Sequence, residues 1–236
     1  MNIGNIMTDK LHSDAETAQT AAHHIVQSQL NFTRSDNYWD ERYRQNGHSG
    51  AGSYGRLAEF KAEVINRFAQ QQAIQSVIEF GSGDGNQLSL ANYPDYTGFD
   101  VSTVALAHCQ KLFAHDGSKK FIHTSQYAGQ KADLTLSLDV IYHLVEDEVF
   151  DEYMRRLFGS AQRFVMIYSS NDEVFNAAKA AHVKHVRHRK FTDWIVENVA
   201  DSWQLFDVIG NRFPFDARDS DNTSFADFYI FERIAG

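Results

Sequence analysis

Apolar positions along this chain follow two periods, one of strands and one of helices. Ser76-Val77-Ile78-Glu79-Phe80 is a short apolar run that opens into three glycines on alternate positions, Gly81, Gly83 and Gly85. That pattern predicts a buried strand and a tight turn feeding the next helix. Before it, Arg56 to Gln72 carries Leu57, Phe60, Val64, Ile65 and Phe68 on one face of an amphipathic helix. After the glycines, Gln87 to Ala91 reads as a short helix, and Pro94 marks a turn. A second strand runs from Tyr96 to an acid at Asp100, and Ser102 is placed to cap a helix over Thr103 to Phe113. Phe121 to His123, Leu134 to Leu138 and Phe164 to Tyr168 predict the next three strands, the last nearly all apolar and therefore central. Between the last two, Glu146 to Phe158 has Val149, Phe150, Tyr153, Met154 and Leu157 at helical spacing. Residues 172 to 190 show no period, Phe191 to Val199 predicts a helix, and Trp203 to Ile209 and Phe225 to Phe231 predict two strands joined by a loop carrying Asp216, Asp219 and Asp221. Strands alternating with helices make this an α/β protein with a parallel sheet covered on both faces.

The flanks divide the chain. Residues 1–36 read as a mobile leader with a short helix around Ala15 to Gln29 and a solvated pair His23-His24. Residues 37–236 read as one domain: 37–75 before the core, 76–170 the core, 171–236 a closing segment. Within the first part, Tyr38-Trp39-Asp40-Glu41-Arg42-Tyr43-Arg44 precedes four glycines between Gly47 and Gly55. This is either a loop folding over a ligand or a flexible connection whose Trp39 and Tyr43 pack on the core.

Glycine at 81, 83 and 85 supplies positive φ and a bare backbone where a ligand must approach the chain. The dinucleotide fingerprint needs glycine at the sixth position, which here is Asn86, and the phosphate loop needs Gly-Lys-Ser/Thr, which is absent. What remains, Glu79-Phe80-Gly81-Ser82-Gly83-Asp84-Gly85, resembles the first motif of the class I S-adenosylmethionine-dependent methyltransferases. Tyr96-Thr97-Gly98-Phe99-Asp100-Val101-Ser102 resembles that family's second strand, and Ser137-Leu138-Asp139-Val140-Ile141-Tyr142-His143-Leu144 its fourth strand and active-site turn. The whole is similar to bacterial methyltransferases of small-molecule and surface-glycan pathways.

The resemblance implies a Rossmann-like sheet of seven strands, mostly parallel with the last antiparallel, and S-adenosylmethionine as cofactor. It implies that Gly81, Ser82, Gly83, Gly85 and Gln87 pass beneath the methionine and ribose portions, and that Asp100 holds the ribose hydroxyls with Val101 against the adenine. Glu79 orients the loop and the methionine ammonium, or only braces the loop. No acid follows the third strand, so Ser125 or Gln126 would contact the adenine. Leu138 and Asp139 complete the cofactor wall. His143 is the candidate base for an acceptor hydroxyl, against a packing or capping role, with Tyr142 beside it. Trp39, Tyr43 and Arg56 join the substrate candidates.

Composition narrows the partners. The single Cys109 excludes an internal disulfide and a cysteine-built zinc site, and a net charge of −9 disfavours nucleic acid. No apolar run spans a bilayer and no secretory signal is visible, so the expected address is the cytoplasm. Ala181-His182-Val183-Lys184-His185-Val186-Arg187-His188-Arg189 concentrates cations and histidines without an acid, which disfavours a metal. It is either a solvated surface or, through Arg187, His188 and Arg189, the holder of an anionic acceptor. The resulting expectation is O-methylation of a sugar or natural-product intermediate, the acceptor small and either neutral or anionic. The alternatives are N-methylation of an amine, favoured by carboxylates in place of arginines in the pocket; a non-catalytic S-adenosylmethionine-binding protein; and a nicotinamide oxidoreductase.

Overall fold

The computed structural model describes residues 32–178 and 183–235. The leader helix, His23, His24 and His182 lie outside the described residues. The elements in chain order are α1 (Ser35–Arg44), α2 (Gly55–Gln71), β1 (Ser76–Phe80), β2 (Asp95–Asp100), α3 (Thr103–Leu112), β3 (Lys119–His123), β4 (Ala132–Leu138), α4 (Asp147–Ser160), β5 (Ala161–Ser169), α5 (Val174–Ala178), α6 (Phe191–Asn198), β6 (Trp203–Ile209) and β7 (Asp227–Arg233). The strands form a single sheet in the order β3-β2-β1-β4-β5-β7-β6. β1 to β5 pair in parallel, whereas β7 runs antiparallel to both β5 and β6. This is the seven-stranded Rossmann-like sheet expected, with its last strand reversed.

Strand geometry sends successive side chains to opposite faces, and the two cores follow that parity. Val77, Leu134, Leu136, Met166 and Ile230 pack with Phe60, Val64, Ile65 and Phe68 of α2. Ile78, Phe80, Val165 and Ile167 pack with Phe150, Met154 and Leu157 of α4 and with Trp194 and Ile195 of α6. Each such large side chain contributes roughly 1.5–3 kcal/mol on burial, so register is tightly specified. Ser102 caps α3 as its position predicted, its Oγ accepting from the Ala105 amide at 3.3 Å.

One expected element is missing. Between β1 and β2 there is only the 3₁₀ turn Leu88–Leu90, so no α-helix dipole is aimed at a ligand from this loop. Asp84 and Ser89 make local turn bonds in its place: Asp84 Oδ1 accepts from the Asn86 amide, and Ser89 Oγ donates to the Asn86 carbonyl. Buried Leu88 and Tyr93 tie the segment to the core instead. Among the described residues, no helix is long and apolar enough to cross a membrane.

Candidate active site

Sheet order reverses direction between β1 and β4, and in open α/β sheets a crevice opens there beyond the carboxyl ends of the strands. Here that crevice encloses about 800 Å³, its mouth included, which is within the range of small-molecule sites. Its floor comes from the ends of three strands: Glu79 and the loop residues Gly81, Ser82, Gly83, Asp84 and Gln87 after β1; Asp100 and Val101 after β2; Leu138, Asp139 and Val140 after β4. The opposite wall is Trp39 and Tyr43 of α1 with Ser49 and Ser53.

Asp100 ends β2 nearly buried, and each of its oxygens accepts one amide: Oδ2 from Gly83 at 2.9 Å, Oδ1 from Ser102 at 2.9 Å. A carboxylate oxygen accepts more than one hydrogen bond, so both keep capacity toward the cavity. Burial raises its pKa, opposed by these amides. Glu79 is buried and accepts from the Tyr96 hydroxyl at 2.7 Å. Burial pushes its carboxyl up to about 7, although Tyr96 and the charge of Lys61 pull it down. Two buried polar atoms of cavity-lining residues, Ser82 Oγ and Gln87 Oε1, have no hydrogen-bond partner among the described residues. Such atoms are costly unless something satisfies them, and both belong to residues that line the cavity.

The glycines divide by role. Gly81 and Gly83 have φ of 87° and 59° and line the cavity. Gly85 (φ 82°) does not: a Cβ there would lie 3.0 Å from Cys109 Sγ and from the Phe113 ring, so its bare backbone serves packing against α3. Ser125 and Gln126 are likewise outside the lining, exposed in a 3₁₀ turn where Ser125 Oγ bonds His123 Nδ1 at 2.7 Å.

His143 borders the cavity between Trp39 and Tyr142, whose rings meet it edge-on at 4.8 and 4.6 Å. Its Nδ1 lies 3.1 Å from the His185 carbonyl. A carbonyl only accepts, so Nδ1 carries the proton and Nε2 the lone pair. Burial pushes the imidazole down to about 4, the His185 carbonyl opposing and the charges of Arg42 and His188 adding to the shift. Tyr142 is buried beside it and donates to Asp139 Oδ1 at 2.7 Å.

The cations expected at the acceptor do not reach the cavity. Arg189 donates to the Leu144 and Val145 carbonyls and to Asp147, and Arg187 donates to Val145 and Asp147, so both fasten the loop leading into α4. His188 bonds Ser170 Oγ at 2.7 Å and packs on Phe225. Arg56 donates to the Asn222 carbonyl and Asp219, tying α2 to the loop before β7. The partners of the three arginines are 40 residues or more away in sequence, and His188 bonds a residue 18 positions away, so local composition reveals neither.

Sequence reasoning passed over Lys61, Ser49, Ser53 and Asp84. Lys61 is fully buried, donates to Asp139 Oδ2 at 2.6 Å and lies 5.3 Å from the centre of the Tyr168 ring. A signal was present: a lysine one turn from both Leu57 and Val64 falls inside the apolar stripe of α2. Lys61 is the only lysine or arginine among the described lining residues, against Asp36, Glu79, Asp84, Asp100 and Asp139.

No protein-family model matches the sequence, and a search of curated proteins returns no significant match. Solved structures do match. The methyltransferase domain of bacterial CtHen1-C aligns over 74% of this chain and 97% of its own, at 20% identity and a TM-score of 0.57. The chain has a methyltransferase fold. The N-methyltransferase NodS from Bradyrhizobium japonicum WM9, in complex with S-adenosyl-L-homocysteine, aligns over 76% of this chain and 88% of its own, at 13% identity and a TM-score of 0.57. Magnesium protoporphyrin IX methyltransferase from Synechocystis PCC 6803, also with that product bound, aligns over 84% and 97%, at 14% identity and a TM-score of 0.60. Within this methyltransferase fold the strand ends that carry Glu79, Asp100 and Asp139 converge on one cavity.

Proposed function

We propose that this protein is an S-adenosylmethionine-dependent methyltransferase acting on a small acceptor. The observation that carries the reading is the joined pair of strand ends. The β1 glycine turn and the β2 carboxylate of Asp100 border one cavity, and Ser82 Oγ and Gln87 Oε1 of its lining residues are buried and unpartnered among the described residues. Those features fit a ligand with a diol at one end and a zwitterion at the other. Asp100 would accept the ribose hydroxyls, Val101 would lie against the adenine, and Glu79 with Ser82 and Gln87 would take the amino-acid end. When bound, the cofactor supplies a methyl group activated by positively charged sulfur. The chain's part is to align the acceptor and exclude water.

The acceptor side is formed by Trp39, His143, Leu144 and Val149, with Asp36 and Ser35 at its edge. Arg187 and Arg189 are engaged with Asp147, and Lys61 with Asp139. Among the described lining residues no cation is left to hold an anionic acceptor. His143 is neutral at physiological pH with Nε2 unprotonated, but an imidazole held near 4 is a weak base. The weak base disfavours the unactivated hydroxyl expected from the sequence, and the acidic lining favours an amine acceptor, whose nitrogen attacks once it has lost its proton.

Calorimetric titration with S-adenosylmethionine, S-adenosylhomocysteine and NADH tests the cofactor. Binding of the first two and none of the third is expected, and Asp100→Ala should weaken it about tenfold or more, since hydrogen bonds to charged groups contribute roughly 1.5–3 kcal/mol. Binding of NADH alone would overturn the reading. Methyl transfer from labelled cofactor to matched amine and alcohol panels then tests the acceptor; turnover confined to alcohols refutes the amine assignment, and cofactor binding without any turnover favours a non-catalytic binder.

A further inference from the structure

The segment between α1 and α2, residues 45–54, crosses the cavity as a strap. None of its residues is buried, so it has no apolar anchor in the core. Polar bonds hold it, two of them made by one carboxylate of the glycine turn, and Arg42 Nε donates to the His48 carbonyl at 2.7 Å. Asp84 Oδ2 accepts from the Ser49 amide at 2.9 Å and from the Tyr54 hydroxyl at 2.8 Å. The Asp84 amide in turn donates to Ser49 Oγ at 3.0 Å, and Asn86 Nδ2 donates to the Ser53 carbonyl at 2.6 Å. Ser49 Oγ also bonds the Tyr43 hydroxyl at 2.8 Å, which joins the strap to α1. Burial raises the Asp84 carboxyl, yet the bonds from Ser49, Asn86 and Tyr54 outweigh it and hold the group below the ordinary carboxylate range.

Backbone geometry fits a movable element. Asn46, Gly50 and Gly55 have φ of 58°, 95° and 51°, and a Cβ at Gly50 or Gly55 would meet nothing within 4 Å. Between these two positions the strap closes on Asp139, where a Cβ on Gly52 would lie 2.7 Å from Oδ2. Likewise, a Cβ on Gly83 would lie 2.4 Å from Ser49 Oγ, so that glycine makes room for the strap. A segment held by polar bonds alone, with partly exposed backbone, opens at lower free energy than the sheet beneath it.

We propose that Asp84 is a positioning residue that latches strap 45–54 over the cavity, and that release of this latch governs exchange of the cofactor. The exchange role rests on the cofactor reading above. Tyr54 lies outside the cavity lining, so Tyr54→Phe removes one latch bond and leaves the binding surface intact; Asp84→Asn weakens all of those made by the carboxylate.

Amide hydrogen exchange of the ligand-free protein judges the latch. Exchange over residues 45–54 should quicken in both variants, while peptides from β4 and the second half of α2 stay as in the unmodified protein. Stopped-flow displacement of S-adenosylhomocysteine judges the exchange role. Its dissociation rate should rise roughly 10-fold for Tyr54→Phe and roughly 100-fold for Asp84→Asn, the range that one or two charge-assisted bonds supply. The single-turnover methylation rate of Tyr54→Phe should stay unchanged while its KM for cofactor rises. Unchanged exchange over 45–54, or faster exchange throughout the sheet, would overturn the latch; unchanged dissociation rates would overturn the exchange role. Failure of the unmodified protein to bind the cofactor removes the methyltransferase reading and the exchange role together, whereas ligand-free exchange still decides the latch.

Discussion

Lys61→Met isolates the buried ion pair beside the cavity. Lys61 is fully buried, Asp139 has 12% of its side chain exposed, and their 2.6 Å contact is the only salt bridge either makes among the described residues. Methionine keeps the apolar stem within the α2 stripe but removes the ammonium. Asp139 is then left with the Tyr142 hydroxyl on Oδ1 and nothing charged on Oδ2, at a residue already held at φ 60°. Breaking a buried pair by deleting one partner costs about 3–5 kcal/mol. The cavity gives Asp139 some contact with water, so the lower end, about 3 kcal/mol, is expected. At roughly 2–4 °C per kcal/mol for a domain of this size, the melting temperature should fall by roughly 6–12 °C. The double variant Lys61→Met with Asp139→Asn should recover most of the loss, because asparagine still accepts from Tyr142 and carries no charge. Urea unfolding of the four proteins in the cycle gives the coupling energy directly. A loss below about 1 kcal/mol for the single variant, or additive effects, would show that the pair is solvated and does not organise the cavity.

Other outcomes follow from the same site. Glu79 is raised from its ordinary 4.5 to about 7 by burial, so the stability its neutral form contributes is complete below pH 4.5 and lost as pH rises through 7. Glu79→Gln, which keeps an oxygen for Tyr96, should therefore gain on the order of 3 kcal/mol relative to the unmodified protein between pH 4.5 and 8; parallel urea stability curves would refute the shift. His143 is depressed from 6.5 to about 4, so its contribution is present above pH 6.5 and lost as pH falls through 4. Its ring resonances should stay unshifted from pH 8 to 5, and a midpoint near 6.5 would contradict the enclosure described. Arg189→Ala should destabilise the protein by about 2–3 kcal/mol, since bonds from a charged donor to the Leu144 and Val145 carbonyls are lost, with KM for the acceptor unchanged; a raised KM at unchanged stability would instead return Arg189 to the acceptor site.

Much of the fold was legible because strands and helices announce themselves locally. The apolar runs at 76–80, 134–138 and 164–168 each lie within an observed strand, and Trp203–Ile209 is a strand to the residue. Ser102 could be assigned as a cap from position alone, because capping is a contact with the next turn. Expectation failed where two local tendencies competed. Glycine, asparagine and serine after β1 favour turns, and β2 begins at Asp95, so the short helix expected there gave way to a 3₁₀ turn.

The sequence by itself determined the strand order's raw material, the glycine turn after β1 and the acid at the end of β2, since each depends on residues within one turn or one pleat of each other. The tertiary structure decided which charges are available to a ligand. Arg187 and Arg189 look free in a basic segment until Asp147 of α4 meets them, and Lys61 stands in an apolar stripe with no visible partner until Asp139 after β4 pairs with it. Asp84 reads as a turn residue until the strap folds onto it. A charge's role depends on its partner and on its distance from water, and both are fixed only when segments remote in sequence pack together.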